Sequence, residues 1–318
     1  MKHTTGKIRN IIVVIIFSLT ISACVSGPDE KQAEAIETAN NSLSTGVTHY
    51  NNSKHELAIS YFKNALADFR SIDHQYGIAS SCLNLSKTYL SIGNTGTAEA
   101  YFIHAQRIIK REEIKKLENH LHIIESSIAI ENKQLNKAKE ILQPLLSNNG
   151  NNDFTLAATQ NRTRIAFAES TDTNKDDAKQ WLNKFEHQVK STQNPSRKAR
   201  LARFKAALSE DASTQEKHLS IALDIYRQQA NRPGIAATLQ EWGDLLIKDK
   251  QTEAAKDKLQ RALYIRQYLQ DKNNSLKILN SLNKISDSSK TKIWIKKIKN
   301  KDFKQWSNFI SVFNQFPE

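Results

Sequence analysis

Small and large apolar residues return to the same slots every forty positions along much of this chain. Ala58, Ala98, Ala138 and Ala178 stand in strict register. A large apolar residue follows four positions later, at Phe62, Phe102, Leu142 and Leu182, and a further core position lies three beyond that, at Ala65, Ala105, Leu145 and Phe185. Twelve residues before each alanine stands a small residue: Gly46, Ser86, Ser126 and Ala166. Within the first unit, apolar residues at three- and four-residue steps predict one helix over residues 43–51 and a second over 56–69, with the turn-forming pair Asn52-Ser53 between them. Small residues at facing positions let the two helices approach closely, and Phe62 and Phe102 fill the gap towards the next unit. A fixed period of this length predicts a stack of like helix pairs, because a single-cored bundle has no reason to hold one register.

The same slots carry a resemblance. Gly46-x-x-His49-Tyr50 followed by Ser53, Ala58, Phe62 and Ala65 resembles the tetratricopeptide repeat. So do Ser86-x-x-Tyr89-Leu90-x-x-Gly93 with Ala98, Phe102 and Ala105, and Trp242-Gly243 with Ala255, Leu259 and Ala262. The joint Ala65-Leu66, Phe69-Arg70, Gly77-Ile78-Ala79 reappears as Ala222-Leu223, Tyr226-Arg227, Gly234-Ile235-Ala236. The period matches the longer variant of that family. The resemblance implies an all-α fold, a right-handed superhelical solenoid of stacked antiparallel helix pairs, with about six pairs over residues 36–285. It also implies that the first helices line a concave groove for a protein or peptide. The groove-facing slots in this chain are Tyr50, Asn51, Lys87, His120, Glu131, Gln160, Arg197, Arg200, Gln240, Asp244 and Lys248. Their mixed charge points to hydrogen bonding with an extended segment or an acidic helix. The register is weakest between residues 150 and 217, where Arg203 takes the slot of a small residue.

The start of the chain has a different character. Lys2, Lys7 and Arg9 precede an unbroken apolar run over residues 11–17, a secretory pattern too short for a membrane span. It ends in Ile21-Ser22-Ala23-Cys24, which resembles the lipobox of bacterial lipoproteins. That resemblance implies a signal peptide over 1–23, cleavage before Cys24, acylation of its sulfur and new amino group, and a polar tether over 24–35. Each buried methylene contributes about 0.8 kcal/mol, so two or three acyl chains anchor stably where one does not. Val25, rather than aspartate, follows the cysteine. In a Gram-negative envelope this implies the periplasmic face of the outer membrane.

Charge and chemistry narrow the function. The formal charge is +13, and loss of Lys2, Lys7 and Arg9 with the leader leaves +10. Such a balance suits either a solvated solenoid face or attraction to an anionic partner. Export and the lack of any nucleic-acid motif argue against nucleic acid. With Cys24 acylated, Cys82 has no partner for an intramolecular disulfide and reads as a small buried hydrophobe. His120 and His122 diverge on a helix and cannot share a metal. Glu112-Glu113 lies among Lys110, Arg111, Lys115 and Lys116, a charged joint and not an acid/base dyad. No phosphate-cradling glycine run or nucleophile motif occurs. The expectation is therefore no enzyme, no cofactor and no metal.

At the other end, residues 286–318 combine seven lysines between Lys290 and Lys304 with Trp294, Phe303, Trp306, Phe309, Ile310, Phe313 and Phe316. The three- and four-residue steps predict an amphipathic helix that either caps the open end of the solenoid or faces an anionic membrane or partner. The whole reads as a membrane-anchored periplasmic scaffold that assists assembly of an envelope machine: outer-membrane protein insertion, a pilus or secretin, or a cell-wall enzyme complex. A module for cell wall or anionic glycan is the alternative, and a lipid-tethered enzyme a more distant one. The anchor is directly testable. Cys24→Ser should abolish incorporation of labelled fatty acid and leave the longer precursor, whereas unchanged labelling would rule the lipobox out.

Overall fold

The computed structural model describes residues 30–147, 152–171, 175–286, 291–293 and 295–296. These residues form helices and turns, with no strand among them. The helices are α1 (Glu30–Asn51), α2 (His55–Ser71), α3 (Gln75–Ser91), α4 (Thr95–Arg111), α5 (Glu118–Glu131, entered through a short 3-10 turn at Lys115–Leu117), α6 (Leu135–Ser147) and α7 (Asp153–Glu169). They continue with α8 (Asp176–Val189), α9 (Pro195–Leu208), α10 (Ala212–Gln228), α11 (Arg232–Lys248), α12 (Thr252–Tyr268) and α13 (Lys272–Ile285). Each helix packs chiefly on its neighbours in sequence, so the odd-numbered helices are the first members of successive pairs. The result is an all-α solenoid of the tetratricopeptide type.

One turn geometry generates this order. Ser53, Asp73, Gly93, Glu113 and Lys133 have positive φ, as do Ala230, Lys250 and Gln270, each group at twenty-residue steps. After each, an N–H reaches back five residues into the finished helix: Lys54 to His49 O at 2.9 Å, His74 to Phe69 O at 2.9 Å, Gln134 to Ala129 O at 2.8 Å and Asp271 to Arg266 O at 2.9 Å. This closure satisfies carbonyls that the helix end would otherwise orphan. At four of these turns the residue that closes one helix also caps the next. His74 accepts from the Gly77 N–H at 3.0 Å, Asn94 from Thr97 at 3.2 Å, Asn231 from Gly234 at 3.0 Å and Asp271 from Asn274 at 3.1 Å. Helices of 17 residues alternate with these three-residue turns in α2, α3, α4, α10, α11 and α12. At 1.5 Å per residue such helices are about 25 Å long, so the pairs stack with matched edges.

The forty-residue register is the packing register. Ala58, Ala98, Ala138 and Ala178 are buried, as are Phe62, Phe102, Leu142 and Leu182 on the same faces. A Cβ added at Gly46 would come within 2.6 Å of the Phe62 ring, and one at Gly243 within 2.6 Å of Leu259, which is why small residues hold these slots. The joints between units work the same way, with Gly77 against the Phe69 ring and Gly234 against the Tyr226 ring. Cys82 is fully buried, and burial pushes its thiol up to about 11, as a structural cysteine requires.

Two expectations change. The helix α1 starts at Glu30, inside the stretch read as a tether over 24–35. In the fifth pair, Ala199, Ala202 and Ala206 are the buried residues of α9, while Arg203, in the small-residue slot, bonds Glu241 on α11. Ser170 and Ser209, which end α7 and α9, have extended backbone in place of the left-handed residue. Cys24, the leader and Trp294, Phe303, Trp306, Phe309, Ile310, Phe313 and Phe316 lie outside the described residues.

Two substitutions of opposite sign test this architecture by urea unfolding. Ala98→Leu should overpack a helix contact and lose about 1–3 kcal/mol. Lys133→Gly should relieve a left-handed backbone at an exposed turn and gain about 0.5–1 kcal/mol. A neutral Ala98→Leu would mean that the alanine register does not mark close helix approach.

Candidate functional site

The first helices of the pairs are joined to one another by side chains. The Tyr50 hydroxyl on α1 bonds Ser91 Oγ on α3 at 3.0 Å, and Lys87 Nζ lies 4.4 Å from the centre of the Tyr50 ring. His120 on α5 lies beside Phe154 on α7, ring centres 6.4 Å apart. Glu131 on α5 accepts from Arg164 on α7 at 2.6 Å. Buried Asn161 on α7 donates to Ser126 and Ser127 on α5, both at 2.9 Å. Arg197 on α9 reaches Asp153 on α7 at 2.9 Å. A two-pronged ion pair joins Arg203 on α9 to Glu241 on α11, and Ser281 on α13 donates to Asp244 on α11 at 2.7 Å. A polar ladder thus runs across the helices that the resemblance assigns to the groove.

Most of the sequence-derived groove residues fall on this ladder. Tyr50, Lys87, His120, Glu131, Arg197 and Asp244 make its rungs. Gln160 and Gln240 are half-buried on the same helices, α7 and α11. Asn51 and Lys248 are exposed at the last residues of α1 and α11, away from its centre. Arg200 is half-buried on α9, close enough to Tyr50, Arg164, Arg203 and Tyr226 to feel their charges. Burial, and then the neighbouring Arg203 and Arg164, disfavour its charged form, while Tyr226 and Tyr50 favour it.

Arg164, Arg203, Glu241, Arg266 and Asp271 were not among the residues anticipated. Arg203 did break the small-residue rule, and that violation was the available signal. Burial opposes its charge, but Glu241 more than compensates and holds its pKa above the usual arginine range. Arg266 pairs with fully buried Asp271 at 2.9 Å, and its charge is also felt by Arg203, Glu241 and Glu131. Residues from the third, fifth and sixth pairs therefore face one interior.

No group of three or more His, Cys, Asp or Glu residues with metal-holding geometry occurs among the described residues. None of the described helices is long and apolar enough to cross a membrane. A cleft of about 350 Å³ between Phe102, Ile103, Glu125 and Ala129 includes none of the ladder residues.

A family model for the tetratricopeptide repeat matches residues 79–111, most of α3 and all of α4. No curated protein matches the chain. The match and the helical stack together support a protein-interaction or scaffold role, and such folds are typically non-enzymatic.

Two histidines make this surface sensitive to acid. Burial, followed by the Lys87 charge, lowers His120 to about 4. Burial is also the main cause for His55, again about 4, with Glu56 opposing and Arg232 assisting. Their folded pKa values lie below the unfolded value of 6.5, so only the unfolded chain takes up these protons between the two. Stability should therefore fall as pH drops from 6.5 towards 4, by about 3 kcal/mol for His55 alone at 1.36 kcal/mol per unit. His55→Phe keeps a ring against Tyr50, whose centre lies 5.6 Å away, and should flatten that pH dependence in urea melts. An unchanged slope would show that His55 does not control it.

Proposed function

We propose that this chain is a lipid-anchored scaffold of the cell envelope that binds a protein or peptide partner through the concave surface of its solenoid. Acylation at Cys24 fixes it at a membrane, the periplasmic face of the outer membrane in a Gram-negative cell. The partner contributes acidic groups, and its capture assists assembly of an envelope machine. The observation that carries this reading is the state of the interior cations. Glu131, Glu241 and Asp271 are each taken by an arginine, whereas Lys87 and Arg200 have no acidic partner among the described residues. A partly desolvated cation without a counter-ion is poised for an anionic group, since the cost of stripping its water has already been met by folding.

Arg200→Ala should weaken partner capture from detergent-solubilised envelope by at least about tenfold, because truncating one member of a buried charged contact costs about 2–5 kcal/mol. Lys63→Ala, an exposed lysine on α2, serves as the control. Lys139 is unsuitable for that purpose, since it bridges to Glu169 at 2.6 Å. Equal capture by the two variants would remove the concave surface as the binding site. Retention on purified cell wall with release by salt, in place of a defined protein, would favour the anionic-glycan alternative.

A further inference from the structure

Two contacts join parts of the chain that are far apart in sequence. Arg232, at the start of α11, donates to Glu56 at the start of α2 at 3.0 Å. Its guanidinium also lies 4.9 Å from the centre of the Tyr268 ring on α12. Gly93, in the turn between α3 and α4, lies so close to Asp271, the cap of α13, that a Cβ at position 93 would run into the carboxylate. In both cases the turn after a first helix meets the turn before a first helix five pairs later. The solenoid thus closes on itself, edge against edge, along one seam.

The repeat supplies its own measure of what the seam covers. Ser53 is buried, whereas Lys133 and Lys250, in the same slot of other left-handed turns, are exposed. Two residues further on, His55 is buried, whereas Thr95 and Leu135 are half-buried and Thr252 is exposed. On the opposite edge, Asn231 and Asp271 are buried, while His74 and Ile114 in the same slot are half-buried. These turns share one backbone geometry, so the additional burial comes from the facing edge.

His55 is a titratable group enclosed at this seam. Its Nδ1 is buried with no hydrogen-bond partner among the described residues. Around the ring stand Tyr50 on α1, with ring centres 5.6 Å apart, Glu56 on its own helix and Arg232 on α11, while the adjoining Lys54 is exposed. The Glu56 carboxylate, whose charge reaches the ring, is engaged by Arg232. A proton on the ring would give Nδ1 an N–H without an acceptor and set a second cation near Arg232. Once the edges part, water solvates both. Between the ordinary value of 6.5 and about 4 the proton is therefore taken up by the open form, and opening grows as pH falls through this window. The Glu56–Arg232 pair is itself half-exposed and contributes little, so one proton can bias the seam.

We propose that the seam is an acid-released latch: protonation of His55 separates the Glu56–Arg232 and Gly93–Asp271 edges while the helix pairs stay folded. The closed form leaves the interior reachable through the ends of the superhelix. The open form adds a lateral entrance between the first two pairs and the last two. This device is independent of what the interior binds.

The test reads the seam without any partner. In the full chain with Cys24→Ser, Ser53→Cys places a thiol under the seam, and fully buried Cys82 on α3 reports loss of the fold. Lys250→Cys, in the same slot away from the seam, sets the rate for an uncovered turn. Each protein is reacted with dithiodipyridine, an aromatic disulfide that modifies thiols in acid. Relative to Lys250→Cys, Ser53→Cys should react at least about tenfold faster at about pH 5 than at about pH 7.5, with Cys82 still protected and helix content unchanged by circular dichroism. Adding His55→Phe should hold the rate at its neutral value. Gly93→Val, which crowds Asp271, and Arg232→Glu, which faces Glu56 with a like charge, should each give the fast rate already at about pH 7.5. A slow rate in both would show that the seam does not cover Ser53 and would overturn the latch. Acceleration of Ser53→Cys and Cys82 together would mean that acid unfolds the whole chain, with the same consequence. Acid acceleration that persists with His55→Phe would remove His55 as the trigger, and a rate independent of pH would end the proposal.

Discussion

Everything in this molecule follows from a helix length locked to a turn. At eight of the described turns a left-handed residue follows the helix, and in most of these the chain reverses within three residues. Because these turns are short, helix ends must meet, and because the helices that flank most of them are 17 residues long, their faces match. A solenoid of this kind has no single core. Stability comes from each pair burying the face that its neighbour leaves open, so the apolar clusters are strung along the chain. The alanines and glycines of the register are the residues that allow such contact at close range.

Repetition also places chemistry. A side chain that projects from one first helix has a counterpart nearly one repeat later on the next, so opposite charges about one repeat apart become neighbours. Glu131 with Arg164 and Arg203 with Glu241 are pairs of this type. Such pairs fix the relative rotation of adjacent units and satisfy charges that the concave face partly desolvates. The same logic isolates Lys87 and Arg200, whose neighbours supply aromatic rings and further arginines.

The departure in the middle of the chain is part of this scheme. Extended backbone at Ser170 and Ser209 replaces the left-handed turn, and the helices there pack through Ala199, Ala202 and Ala206. In the same stretch Arg203, a misfit in the repeat, anchors an ion pair with Glu241. A perfectly regular repeat would have put a small residue where the charge now stands.

The sequence by itself determined the helix pairs, their register and the buried faces, because these depend on residues within one repeat of each other. Ala58 to Ala178, Phe62 to Leu182 and Gly46 to Ala166 were all legible as core before any coordinates. Six ladder residues, Tyr50, Lys87, His120, Glu131, Arg197 and Asp244, stand in slots that recur with the repeat, whereas their partners do not. The left-handed turns were not, because Ser53, Glu113, Lys133 and Lys250 carry no glycine signal; their conformation is imposed by the helices on either side. Nor was the charge state of the interior, where Asp271 and Arg266 lie outside the groove slots and find each other through a turn. Tertiary structure alone decided that Glu56 meets Arg232 and that Gly93 faces Asp271. Small rotations between units add up over five pairs, and no local pattern of residues encodes their sum.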